Sequence, residues 1–195
     1  GRSLTVLEET GQAENTLVVF MSDHGEMLGD HGIYFKGPHF YDCQLRVPLI
    51  MRWPGGGIVP NRRIEGLVEL VDLAPTFLDA ANLDIPERIQ GKSMLPMLRG
   101  GEERESCREQ VYAEYYNAWT HGDAYGTMLR TESEKIVVYH GTNQGEFYDL
   151  ESDPEEFFNL WKKPTAEKRK NKMLARCFDA SVFTMDPHPP RLGPF

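Results

Sequence analysis

Leu17-Val18-Val19-Phe20 is an unbroken apolar run between Thr16 and Met21, and it empties directly into Ser22-Asp23-His24-Gly25. A β-prone run without polar alternation predicts a strand covered on both faces. Such strands belong to a central, mostly parallel sheet flanked by helices, where ligands bind beyond the carboxyl ends of the strands. Asp23 and His24 stand at such an end. Residues 26–46 follow as a polar, glycine-bearing stretch, too long to be a mere connection and therefore assigned a functional role.

Around this strand the chain reads as α/β. Residues 4–11 predict the tail of an amphipathic helix ending at Gly11, and residues 47–53 a second strand closed by the turn Pro54-Gly55-Gly56-Gly57. Asp72 is placed to cap a helix running to about Ala81, with Pro75 in its first turn, and residues 93–98 form a short helix. The polar stretch 100–109 is the natural boundary. Beyond it, residues 110–116, 125–131, 135–140 and 146–150 are short aromatic and β-branched runs separated by turns, which predicts an antiparallel meander. Asp153-Pro154 is expected to start a short helix packing Phe157, Phe158 and Trp161 on that meander. The basic run 168–172 reads as a solvated helix face, followed by a proline-rich end over 187–195. Three regions result: 1–105 as part of an α/β domain, 106–163 as the antiparallel subdomain, and 164–195 as helix and tail.

Composition narrows the partners. With 30 acidic against 21 basic residues and a formal charge of -9, the averaged field repels phosphate backbones and anionic membrane surfaces, so neither nucleic acid nor membrane is expected. A hydrophobic content of 40% suffices for a buried core, and no run approaches the roughly 20 residues that span a bilayer. Cys43, Cys107 and Cys177 lack any Cys-x-x-Cys spacing and read as free or buried thiols, leaning towards a reducing compartment.

The chemistry concentrates at the strand end. Asp23 supplies a hard oxygen and neutral His24 a nitrogen to one divalent ion, while Gly25 permits the bend directly after them. Taken alone, an Asp-His pair is more often turn chemistry, with the carboxylate capping nearby amides. Lys36, in the setting Phe35-Lys36-Gly37-Pro38, is either a solvated charge or a donor to a sulfuryl or phosphoryl oxygen. His31 is expected to order the loop through hydrogen bonds. His39 and His121 are candidates for facing substrate, with loop packing and solvent exposure as their alternatives.

Taken together, Ser22-Asp23-His24-Gly25-Glu26-Met27-Leu28-Gly29-Asp30-His31-Gly32, Lys36-Gly37, Arg46-Val47-Pro48-Leu49-Ile50, Val71-Asp72-Leu73-Ala74-Pro75-Thr76 and Tyr148-Asp149-Leu150-Glu151-Ser152-Asp153-Pro154 resemble the C-terminal part of type I sulfatases. The resemblance implies an alkaline-phosphatase-like α/β sandwich, here the C-terminal part of its main mixed sheet, plus a small C-terminal antiparallel sheet with a flanking helix. It places Asp23 and His24 among the ligands of a divalent metal, usually calcium, and Lys36 on the sulfate oxygens. Many sulfatases have asparagine where His24 stands; histidine resembles the branch with iduronate and choline sulfatases and phosphonate monoester hydrolases, and imidazole also suits manganese or zinc.

In that family the nucleophile is a formylglycine made within a Cys/Ser-x-Pro/Ala-x-Arg motif of the N-terminal half. None of the three cysteines here has that context. The expectation is therefore a sulfuric ester hydrolase acting on a small-molecule or saccharide sulfate ester, with this chain as its C-terminal portion and the nucleophile in an N-terminal half. Two alternatives stand beside it: a phosphonate monoester or phosphodiester hydrolase of the same superfamily, and a catalytically silent fragment.

Overall fold

The computed structural model describes residues 1–100, 108–116 and 124–185. Helix α1 (Arg2–Glu9) precedes strand β1 (Val18–Met21), which pairs with β2 (Leu49–Arg52). The pairing is antiparallel, Val18 opposite Arg52 and Met21 opposite Leu49, rather than the parallel arrangement read from the apolar run. A continuous apolar run reports burial, not direction. Here residues 22–48 leave and re-enter at the same end of the ribbon, so the chain makes none of the long crossover that a parallel neighbour requires. Nor is the ribbon covered on both faces among the described residues, since Phe20 and Ile50, directly opposite one another, are each 62% exposed.

Helices α2 (Asp42–Leu45), α3 (Leu73–Ala80) and α4 (Leu95–Leu98) follow. Asp72 occupies the N-cap position of α3, but its buried carboxylate accepts from the Glu69 and Lys92 N–H groups at 2.8 Å each and pairs with Arg108. It ties three segments together rather than capping one helix. No helix among the described residues is long and apolar enough to cross a membrane.

The meander forms as its aromatic and β-branched runs predict. Strands β3 (Val111–Tyr116), β4 (Tyr125–Arg130), β5 (Glu134–Tyr139) and β6 (Gln144–Asp149) lie in sequence order, every neighbour antiparallel. Alternation gives the sheet two working faces. On one, Tyr112, Leu129, Ile136 and Phe147 form a row across all four strands and take Met173, Cys177 and Ala180 of α5 (Glu167–Phe183). Those helix positions recur at spacings of four and three, one stripe of an α-helix. The basic run 168–172 is thus only partly a solvated face, because Arg169 bonds Glu134 at 2.6 Å and Asp149 at 2.9 Å.

The opposite face carries Met128, Val137 and Tyr139, and it packs against Phe40 and Leu45 from the long loop after β1. Lys135 shares this face. Its side chain, 1% exposed, reaches Asp42 of α2 at 2.8 Å and Glu156 at 2.5 Å. Glu156 in turn accepts the Asp42 N–H at 2.8 Å. Residues 153–161 form turns instead of the expected helix. Asp153 oxygens take the N–H groups of Phe157 and Phe158, and Glu156 adopts a left-handed φ of 61°, so the helical ladder never starts. Of the three aromatics assigned to that helix, Trp161 packs beside the α5 core whereas Phe157 and Phe158 are exposed.

A buried ammonium whose carboxylates come from two distant segments is costly to remove alone. Lys135→Met is expected to lower stability by about 3–5 kcal/mol, because Glu156 loses its cation and Asp42 keeps only Arg130 at 3.5 Å; urea unfolding measures it. Burial raises the Asp42 pKa, but Lys135 and then Arg130 outweigh it, and the carboxyl titrates below its ordinary range. A depressed folded pKa means stability present in full above about pH 4 and lost as the pH falls below it. The stability gap between wild type and Asp42→Asn should therefore be largest at neutral pH and shrink below about pH 4; a gap that stays constant into acid would contradict this role of Asp42.

Candidate active site

Where β1 ends, Ser22 turns the chain by donating from Oγ to the His24 carbonyl at 2.8 Å, and the His24 N–H donates to Asp23 Oδ1 at 2.9 Å. That backbone hydrogen bond, then the neighbouring imidazole, hold the Asp23 carboxyl below its ordinary range, so it is ionised at neutral pH. The carboxylate is 84% exposed and the His24 side chain 39%. On the imidazole, Nδ1 lies 2.7 Å from the Gly25 carbonyl, an acceptor only, which requires Nδ1 to carry the proton. The lone pair is then on Nε2, which stands 3.8 Å from Asp23 Oδ2 and 2.8 Å from Lys36 Nζ.

Asp23, His24 and Lys36 thus converge, although twelve residues separate the imidazole from the lysine. Donor spacing of 3.8 Å between a carboxylate oxygen and an imidazole nitrogen suits two neighbouring ligands of one divalent cation. Both donors fit such an ion, and two donors are fewer than it needs. Among the described residues no group of three or more His, Cys, Asp or Glu side chains is arranged to hold a metal.

Gly25 and α2 fix this geometry. The Gly25 N–H donates to the Gln44 carbonyl at 2.6 Å, and a Cβ at position 25 would lie 2.0 Å from the Cys43 carbonyl oxygen. Only glycine permits main chain to approach main chain so closely. His39 lies next to the residue that follows Lys36. Its ring packs against Gly37, its centroid is 6.4 Å from that of Tyr41, and burial lowers its pKa. His121 lies outside the described residues. His31 orders the loop by stacking, not by the expected hydrogen bonding: its ring lies flat on Tyr41 at 3.8 Å, with its backbone at φ 53°.

Two thiols are placed by the structure, and neither is poised as a nucleophile. Cys43 is raised by burial and then by Asp30, and Cys177, on α5, by burial against the meander. A cavity of about 1360 Å³ opens between α5 and residues 69–71 and 90–92, but none of Asp23, His24 or Lys36 lines it. Gln44, Lys135 and Glu156 were not legible as site-supporting residues. For Lys135 a signal existed, a charged residue sharing the alternation of Val137 and Tyr139 in an apolar strand; for Gln44 there was none.

The fold that carries this arrangement is shared with solved ester hydrolases. The family model described as N-sulphoglucosamine sulphohydrolase, C-terminal, matches residues 29–181. An N-acetylglucosamine-6-O-sulfatase of Bacteroides thetaiotaomicron is 35% identical over 177 residues, covering 89% of this chain and 31% of that protein. Among solved structures, BT4656 in complex with its substrate D-glucosamine-2-N,6-O-disulfate superposes with a TM-score of 0.85 at 30% identity, covering 99% of this chain and 39% of the other. A phosphonate monoester hydrolase from Silicibacter pomeroyi superposes with a TM-score of 0.83 at 27% identity over 95% of this chain and 38% of its own. The chain belongs to the sulfatase family and corresponds to its C-terminal region. It spans about a third of the length of the curated relatives it matches.

Gly25→Ala should push the Asp23-His24 turn off α2. Overpacking against rigid main chain is expected to cost about 1–3 kcal/mol, read by denaturant unfolding. Stability equal to wild type would show that the close approach is not needed.

Proposed function

We propose that this chain is the C-terminal part of a sulfuric ester hydrolase acting on a sulfated saccharide, and that Asp23, His24 and Lys36 are its contribution to the active site. The observation that carries the reading is the convergence of those three side chains at the end of β1. Asp23 and His24 Nε2 contribute two ligands to one divalent cation, calcium in the first instance, with manganese or zinc as imidazole-tolerant alternatives. When bound, that cation supplies charge neutralisation at the sulfuryl group and activation of a nucleophile. Lys36, whose ammonium lies 2.8 Å from His24 Nε2, would donate to a sulfuryl oxygen and offset charge that develops in the transition state. His39 and His121 are assigned the edge of the substrate pocket. The formylglycine nucleophile and the remaining ligands are assigned to the N-terminal half of the same protein. Residues 1–105 are taken as the C-terminal part of the catalytic domain and 106–163 as its antiparallel subdomain, followed by the helix and tail of 164–195.

A second reading has its own support in the likeness to a phosphonate monoester hydrolase. Both substrates are tetrahedral oxyanion esters. Assayed side by side on the full-length protein, an aryl sulfate is expected to show the larger kcat/KM; a larger value for a phosphonate monoester reassigns the chemistry.

In the full-length protein, Asp23→Ala is expected to lose bound metal and turnover together. Lys36→Ala should keep the metal and lower kcat/KM for an aryl sulfate by about 10²–10³-fold. Stoichiometric metal and wild-type turnover in Asp23→Ala would reject the assignment. Residues 1–195 purified alone are expected to be inactive.

A further inference from the structure

The Lys36 side chain reaches His24 from a loop with no regular structure of its own between Ile33 and Tyr41. A lysine carries large rotamer entropy, so a defined position for its ammonium demands a fixed stem. The fixing group is the buried side-chain amide of Gln44. Its Oε1 accepts the Gly37 N–H at 3.3 Å, and its Nε2 donates to the Gly37 carbonyl at 2.8 Å and the His39 carbonyl at 3.0 Å. Both main-chain groups of the residue next to Lys36 are therefore bonded to one amide, as a neighbouring strand would bond them.

The same residue holds the other half of the site. Its main-chain carbonyl accepts the Gly25 N–H at 2.6 Å, directly after His24. One residue thus binds the segment bearing the imidazole through its backbone and the segment bearing the ammonium through its side chain. Its own position is set by Asp42, which Lys135 and Glu156 hold to the meander.

We propose that Gln44 is a positioning residue that holds Lys36 against His24 by pinning Gly37, an inference that rests on the sulfatase reading for its catalytic consequence but not for its structural one. Gln44 touches neither Lys36 nor His24 side chains in the contacts above; it acts on both through main chain. Gln44→Met preserves length and the backbone carbonyl bonded to Gly25, and removes all three amide bonds. Should that variant not accumulate as folded protein, Gln44→Glu serves in its place, keeping the acceptor for Gly37 while losing both donors.

Two measurements on the full-length protein test the proposal. In hydrogen exchange, the Gly37 amide is expected to exchange at least about tenfold faster in the variant, while amides of β4, β5 and β6 stay as in wild type. For turnover of 4-nitrophenyl sulfate, Gln44→Met is expected to lower kcat/KM by up to about 100-fold, the scale of a misplaced group. The same substitution in a Lys36→Ala background should change it less than about threefold, since the two act as a unit. Unchanged Gly37 exchange, or a full and additive loss in the Lys36→Ala background, overturns the proposal. If Lys36→Ala itself retains wild-type turnover, the catalytic reading of Lys36 fails, and the exchange of Gly37 alone decides the role of Gln44.

Discussion

The approach of Gly25 to the main chain of α2 is the contact on which the site depends. With its N–H 2.6 Å from the Gln44 carbonyl, and with no room for a Cβ against Cys43, the turn after β1 has a single arrangement. That arrangement places the Gly25 carbonyl where it takes the His24 Nδ1 proton and leaves the Nε2 lone pair facing Asp23 and Lys36. Since α2 is only four residues long, it cannot hold its place through its own hydrogen bonds. It borrows rigidity from the meander through Asp42, Lys135 and Glu156.

The four-stranded antiparallel sheet is therefore more than an appendage. One face binds α5 through a cross-strand row of apolar side chains, and the other provides the floor for the loop that carries Lys36. Charge is used differently in the two places. Lys135 is buried where ion pairs are strong and unforgiving of a missing partner, which suits a structural anchor. Asp23 and His24 stay open to solvent, where a carboxylate and an imidazole can exchange partners.

How much of this was readable from sequence depended on how local each determinant is. The meander was legible because four aromatic and β-branched runs are separated by turns, and its strands fall within two residues of their predicted ends. The Asp-His-Lys convergence was legible as a motif, since the residues lie within fourteen positions of one another and a glycine marks the bend. Strand direction was not, because an apolar run encodes burial alone. The missing helix at 153–161 turned on one side chain, Asp153, taking the amides that a helix would have used for its own bonds. Gln44 was invisible for a deeper reason: its partners are main-chain atoms of Gly37 and His39, which leave no trace in residue type.

We propose that the side chains at 23 and 24 share one cation, faced by the ammonium of Lys36. Anomalous diffraction from crystals of the full-length protein grown with manganese tests it most directly. A peak is expected within about 2.0–2.5 Å of both an Asp23 carboxylate oxygen and His24 Nε2. A fully occupied peak elsewhere, with Asp23 and His24 contacting only water, would contradict it.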